Sequence, residues 1–262
     1  VIREALAAVR AEGRIALLPF MTAGLPDPAR SVDLFKAMAA AGADLFEVGI
    51  PYSDPLMDGP VIQRGSEAAL RAGMTMRRSF DLIAAIAKAT GRPLLAMTYA
   101  NPVMRLGPGE FCRRLAAAGA AGVIVPDLPL EESGPLREAA RDAGVGVVAF
   151  VAPTSNDARI QAVAKADPVF IYGVADLGVT GERAAPSSHA LELSHRVRRL
   201  TRLPLVLGVG ISTPEQAASV KGACDGVIVG SALVRCVLDA PSPRVAARSI
   251  AEQVARLRAA LV

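Results

Sequence analysis

Tryptophan is absent from this chain of 262 residues, and aromatic residues make up only 4% of it. So few rings leave little to stack on unpaired bases, and no nucleic-acid partner is expected. The arginines are dispersed over many segments (Arg77 and Arg78, Arg113 and Arg114, Arg196, Arg198 and Arg199), as on solvated helix faces. The formal charge of +4 is then no more than a weak preference for anionic ligands. Cysteine is scarce too. Cys112, Cys224 and Cys236 form no CxxC pair and are odd in number, which fits a reducing, cytoplasmic setting. Histidine is limited to His189 and His195, which argues against a His-based metal site or a Ser-His triad. No metal is expected. Long apolar runs are missing: the longest are strand-length, so no membrane span is expected. The chain opens on Val1 rather than Met, and Val1 to Arg10 read as an amphipathic helix without a secretory apolar core.

What is present is a repeat. An apolar run is followed by a Gly- or Pro-rich loop, then an Ala/Leu/Arg helix, then another run. Eight runs are expected as strands: Ile15–Thr22, Asp44–Ile50, Pro93–Thr98, Gly122–Pro126, Gly146–Val151, Val169–Val174, Pro204–Gly208 and Gly226–Gly230. They are near-continuously apolar, as strands covered on both faces should be. Helices are expected between them, roughly over residues 29–41, 77–89, 109–118, 131–143, 157–165, 187–200, 214–221 and 244–260. Gly42, Gly119, Gly144 and Gly222 each fall between a helix end and a strand, where a left-handed cap needs no Cβ. Parallel strands with right-handed crossovers follow. Eight units in ~250 residues favour one closed α/β (β/α)8 TIM barrel over an open sheet, with extra N-terminal and loop helices. No linker is visible, so residues 1–262 are expected to form a single domain.

Connections into strands are short. Those after strands two, three and six are long and rich in Pro and Gly, and barrel active sites sit on that leaving side. Glu47 interrupts the second strand, and Asp58 lies in the loop Pro51–Pro60 that follows. Burying a carboxylate without a partner costs several kcal/mol. Two carboxylates converging on one mouth could divide acid and charge-stabilising work. The alternatives are a core carboxylate paired with a basic residue for Glu47, and an Asp-Gly turn for Asp58. The ends of strands seven and eight carry Gly208-Val209-Gly210 and Gly230-Ser231-Ala232, an anion site or mere turn glycines. Tyr172 could point into the mouth or be a structural tyrosine, and Asp127 could be a site carboxylate or a turn former. Gly178-Val179-Thr180-Gly181 reads as a lid or a plain surface loop.

Together these motifs resemble the tryptophan synthase alpha subunit family. The matches are Pro19-Phe20 with Thr22-Ala23-Gly24; Glu47-Val48-Gly49-Ile50-Pro51-Tyr52-Ser53-Asp54-Pro55 with Asp58-Gly59-Pro60; and Tyr99-Ala100-Asn101-Pro102. Further along come Pro126-Asp127-Leu128-Pro129, Gly178-Val179-Thr180-Gly181, Gly208-Val209-Gly210-Ile211 and Gly230-Ser231-Ala232. They run in the family's order over nearly the whole chain. The resemblance implies a cofactor-free lyase that cleaves indole-3-glycerol phosphate to indole and D-glyceraldehyde 3-phosphate. Glu47 would protonate indole carbon 3, and Asp58 would hold the indole N–H. Tyr172 and Thr180 would position the substrate, with Phe20, Met97 and Ile124 as apolar wall. The phosphate would rest on Gly181, Gly210, Gly230 and Ser231. The partner implied is a pyridoxal-phosphate beta subunit in an α2β2 heterotetramer, faced by Asp54 and Pro55.

One departure stands out. Ala175-Asp176-Leu177 replaces the small hydroxyl residue that commonly precedes Gly178 in the family, and Asp176 adds a negative charge near an expected phosphate. It motivates a second reading, a stand-alone lyase releasing free indole. A third is a non-catalytic regulatory subunit, against which Glu47 and Asp58 argue. A related-barrel isomerase would have no reason for the Glu47–Asp58 block.

Overall fold

The computed structural model describes residues 1–174, 188–208 and 210–262, without the side chain of Ser188. The expected repeat is there. Strand β1 is Ala16–Thr22, β2 Phe46–Gly49, β3 Leu94–Met97 and β4 Gly122–Ile124. The fifth strand, β5, comes in two pieces, Gly146–Val147 and Ala149–Val151. After it come β6 Ile171–Gly173, β7 Leu205–Gly208 and β8 Gly226–Val229. All pairings are parallel.

The break in β5 closes the barrel. Its first piece pairs with β4 and its second with β6, so one strand links both ends of the sheet order. Val148 N–H still reaches Val123 O at 3.1 Å, and Val169 N–H reaches Val147 O at 2.9 Å. A closed sheet has no free edge to protect.

The helices are α1 Ile2–Ala11, α2 Ser31–Ala40, α3 Pro60–Arg71, α4 Met76–Thr90, α5 Ala100–Leu106 and α6 Pro108–Ala117. They continue with α7 Gly134–Asp142, α8 Asp157–Lys165, α9 Ser188–Leu200, α10 Pro214–Ser219, α11 Ser231–Leu238 and α12 Pro243–Ala260. Helices α3 and α5 lie in segments with no helix in the strand–helix reading of the sequence, while α11 is the short helix that Gly230-Ser231-Ala232 can open. Each starts directly after a loop that leaves a strand, and α3 and α6 carry Pro in their first turn, where its missing N–H costs nothing. Helix α7 starts later than expected because Leu130–Glu132 form a separate 3-10 turn. Gly42, Gly119, Gly144 and Gly222 all have positive φ, between 70° and 101°, as the cap reading requires.

The end of the barrel where strands begin is held by buried ion pairs. Arg14 donates to Asp44 at 2.8 Å, and the same carboxylate accepts Leu17 N–H at 2.9 Å. Asp225 accepts Leu205 N–H at 2.7 Å and pairs with Arg198 at 2.8 Å. These groups tie strand starts to neighbouring segments. They carry no partnerless buried side-chain oxygen, unlike the opposite mouth. No helix among the described residues is long and apolar enough to cross a membrane.

Candidate active site

Parallel pairing sets which residues face inward. Phe20 lies opposite Glu47, and Gly49 opposite Met97, which lies opposite Ile124. Laterally paired residues share a face, and residues two apart along a strand share it too. Phe20, Glu47, Gly49, Met97 and Ile124 therefore form one row. On the other side of the ring, Phe150 lies opposite Tyr172. Burial first, and then the carboxylates of Glu47 and Asp58, raise the Tyr172 hydroxyl well above its ordinary pKa, although β2 and β6 are not neighbours in the sheet. That coupling runs across the barrel interior, so the row faces inward.

Glu47 is buried, and its Oε2 has no hydrogen-bond partner among the described residues. No basic side chain among the described residues pairs with it. Burial, reinforced by the nearby Asp58 carboxylate, pushes its pKa up to about 8. The paired-core alternative finds no basic partner among the described residues. Asp58 is also buried, at the end of the loop before α3. Burial raises its pKa to about 6, against the opposing effect of the Tyr99 hydroxyl. At pH 7 the geometry thus keeps one carboxyl mostly protonated and its neighbour mostly ionised, the division acid/base chemistry uses.

Tyr99 is the participant that residue-by-residue reading passed over. It is buried at the start of α5, and its hydroxyl stands close enough to stabilise the Asp58 charge without a hydrogen bond of good geometry. Its ring packs on Tyr52, 5.4 Å between centroids, and Tyr52 OH accepts from Asn101 Nδ2 at 2.9 Å. The signal available was the Tyr-x-Asn-Pro block on the leaving side of strand three. Asp127 receives Ala100 N–H at 2.8 Å, so its carboxylate anchors the start of α5, a structural post within reach of the mouth.

Two glycines make room for the site's rings. A Cβ on Gly208 would lie 1.9 Å from the Tyr172 hydroxyl, and one on Gly49 would lie 2.6 Å from the Phe20 ring. Either position would displace a site residue if it carried a side chain. Tyr172 is further held by the Phe150 ring at 4.9 Å. Gly230 is close by: a Cβ there would sit 3.4 Å from Phe20.

The glycine rim divides unequally. Helix α10 satisfies its own start, because Gln216 Oε1 accepts Ser212 N–H at 2.7 Å and Thr213 N–H at 3.1 Å in a capping box. Helix α11 starts at Gly230 without a side-chain cap, and the N–H groups of Ser231 and Ala232 have no partner among the described residues. Of the two, the helix start left without an internal cap is that of α11. Gly210 has φ +42°, a conformation that favours glycine. Thr180, Gly181 and Ala175-Asp176-Leu177 lie outside the described residues. Asp54 is exposed and Pro55 half-buried on the rim. In the same loop Leu56 is 76% exposed and Met57 49%, and on α5 Met104 is 44% exposed. Among the described residues no three His, Cys, Asp or Glu side chains gather as around a metal ion.

Comparison with known proteins gives a consistent result. The family model described as tryptophan synthase alpha chain matches residues 6–261. The tryptophan synthase alpha chain of Streptomyces avermitilis is 43% identical over 258 residues, 97% of this chain and 93% of that one. Its counterpart in Carboxydothermus hydrogenoformans is 45% identical over 236 residues, covering 90% and 88%. A structure of Mycobacterium tuberculosis tryptophan synthase superimposes with a TM-score of 0.92 at 38% identity, over 99% of this chain and 97% of that one. The tryptophan synthase subunit alpha of Legionella pneumophila str. Paris gives 0.87 at 30% identity, over 99% and 97%.

Proposed function

This chain belongs to the tryptophan synthase alpha chain family, and on that premise we propose that it cleaves indole-3-glycerol phosphate to indole and D-glyceraldehyde 3-phosphate. The observation that carries the reading is the pair Glu47 and Asp58, buried together, with pKa values near 8 and 6. Retro-aldol cleavage needs the indole ring to become an electron sink, which means protonating carbon 3. A carboxyl still protonated at neutral pH is suited to that step. The positive charge then developing on the ring falls on the nitrogen, whose N–H the Asp58 carboxylate accepts. Glu47, now a carboxylate, takes the proton of the adjacent glycerol hydroxyl. The carbon–carbon bond breaks, its electrons restore the neutral indole, and the hydroxyl carbon becomes the aldehyde.

Phe20, Met97 and Ile124 supply an apolar wall for the ring, and Tyr172 closes the far side. The phosphate is proposed to rest on the backbone of Gly181, Gly210, Gly230 and Ser231. Of these, Gly230 and Ser231 belong to the uncapped start of α11. Phosphate binding far from the breaking bond contributes positioning energy. No cofactor enters these steps. Residues 1–262 act as a single domain in this reading, in the cytoplasm.

We further propose a pyridoxal-phosphate beta subunit as partner, in an α2β2 assembly. The exposed Leu56 and Met57 directly after Asp54 and Pro55 support this, since two adjacent exposed apolar side chains of that size suit an interface. The test is indole release from indole-3-glycerol phosphate by the purified chain, with and without a beta subunit. Turnover stimulated by the partner is expected. An Asp58→Asn variant that kept full turnover would remove Asp58 from its role.

A further inference from the structure

The ring of helices is open between α7 and α8. Each packs on its other neighbour, α6 and α9 respectively, but the two are not packed on one another. A groove of about 750 Å³ lies there, within the ~300–1,000 Å³ range of small-molecule sites. Neither Glu47, Asp58 nor Tyr172 lines it, although it reaches toward the mouth at Asp127 and at Phe150, whose ring packs on Tyr172. The opening shows on the sheet behind it. Strands β1 to β4 and β8 are buried throughout, whereas Val147 and Ala149, which alternate with the inward residues of β5, are only half-buried.

Two side chains cross the groove and fix its width. Arg137 on α7 donates to Ala166 O just past α8, at 3.0 Å. Arg159 on α8 pairs with Glu131 ahead of α7. Asp127 keeps its negative charge, since a backbone N–H does not neutralise it, and the other charges left unpaired among the described residues are positive. Of the two aspartates lining the groove, Asp127 is occupied by Ala100 N–H and Asp167 by Arg3. Arg141 and Lys165 line it with no carboxylate partner among the described residues. Both stand in the last turns of their helices, so they share one end of the groove, the end away from the mouth. Helix dipoles favour cations there. That accounts for two positive side chains, but not for an apolar channel opening between them.

We propose that this groove binds a small amphiphilic anion, with an apolar body along Val147, Ala149 and Val169 and an anionic head between Arg141 and Lys165. Apolar burial supplies the affinity and the paired cations fix the orientation. The test uses the full chain and 1-anilinonaphthalene-8-sulfonate, whose rings carry a single anionic group. Saturable binding is expected, with slowed amide exchange across residues 134–169. Octanoate should displace the probe, and 1-octanol at equal concentration should not. Because Arg141 and Lys165 are exposed, the Arg141→Glu/Lys165→Glu variant keeps its packing and its indole release. It should bind the probe at least about tenfold more weakly. Wild-type affinity in that variant, equal displacement by octanol, or exchange protection confined to the barrel mouth would each overturn the proposal.

Discussion

Replacing Glu47 by Gln should stabilise the folded chain at alkaline pH while abolishing turnover. The folded protein holds a proton on Glu47 up to about pH 8, whereas an ordinary glutamate releases it near 4.5. Between those values the unfolded chain has given up a proton that the folded chain keeps, so rising pH favours unfolding. Each unit of difference is worth ~1.4 kcal/mol. The burden of an ionisable Glu47 is therefore about 3 kcal/mol at pH 7 and approaches about 5 kcal/mol above pH 8. It is absent below pH 4.5. Glutamine bears no such burden, and whatever its amide costs to bury does not change with pH. Urea unfolding of both proteins at pH 5, 7 and 9, followed by circular dichroism, gives the difference directly. The Glu47→Gln variant should gain on the wild type by several kcal/mol between pH 5 and pH 9, with turnover lost at all three values. A stability difference that stays flat with pH would mean an ordinary carboxyl at position 47, and the proposed acid would be lost with it.

Three other outcomes test the rest of the site. The pH profile of kcat/KM should be bell-shaped, with limbs near 6 and 8 belonging to the Asp58–Glu47 pair; Tyr99→Phe, which removes the hydroxyl that lowers the Asp58 pKa, should shift the acid limb upward, and an unmoved limb would dismiss Tyr99. Gly208→Ala should cost about 1–3 kcal/mol in thermal or urea unfolding and reduce kcat/KM, because the new methyl meets the Tyr172 hydroxyl; wild-type kinetics there would show that Tyr172 does not need its observed place. Asp44→Ala should cost about 1–3 kcal/mol, because Leu17 N–H loses its acceptor while Arg14 keeps only Glu12, yet leave KM unchanged, and a KM effect would contradict the division between a stabilising end and a reactive mouth.

Much of this was legible in the chain itself. The alternation of apolar runs with Ala/Leu/Arg helices, and glycines at helix ends, depend on neighbours a few residues apart, so they prescribe the barrel from local chemistry. Glu47 was legible for the same reason: a carboxylate inside a strand covered on both faces has nowhere neutral to go. The glycine rim was visible, but not its division. Only the placed side chain of Gln216 reveals that α10 caps itself and α11 does not.

What the sequence determined alone is therefore the order and kind of elements and the presence of an acid where a strand should be apolar. Tertiary structure decided who meets whom. Tyr99 reaches Asp58 because both stand just past the neighbouring strands β2 and β3, and Gly208 yields space to Tyr172 because β6 and β7 pair side by side. Such meetings depend on sheet register and on the direction of each inward row, which are fixed by packing around the ring and leave no mark on any single stretch of residues.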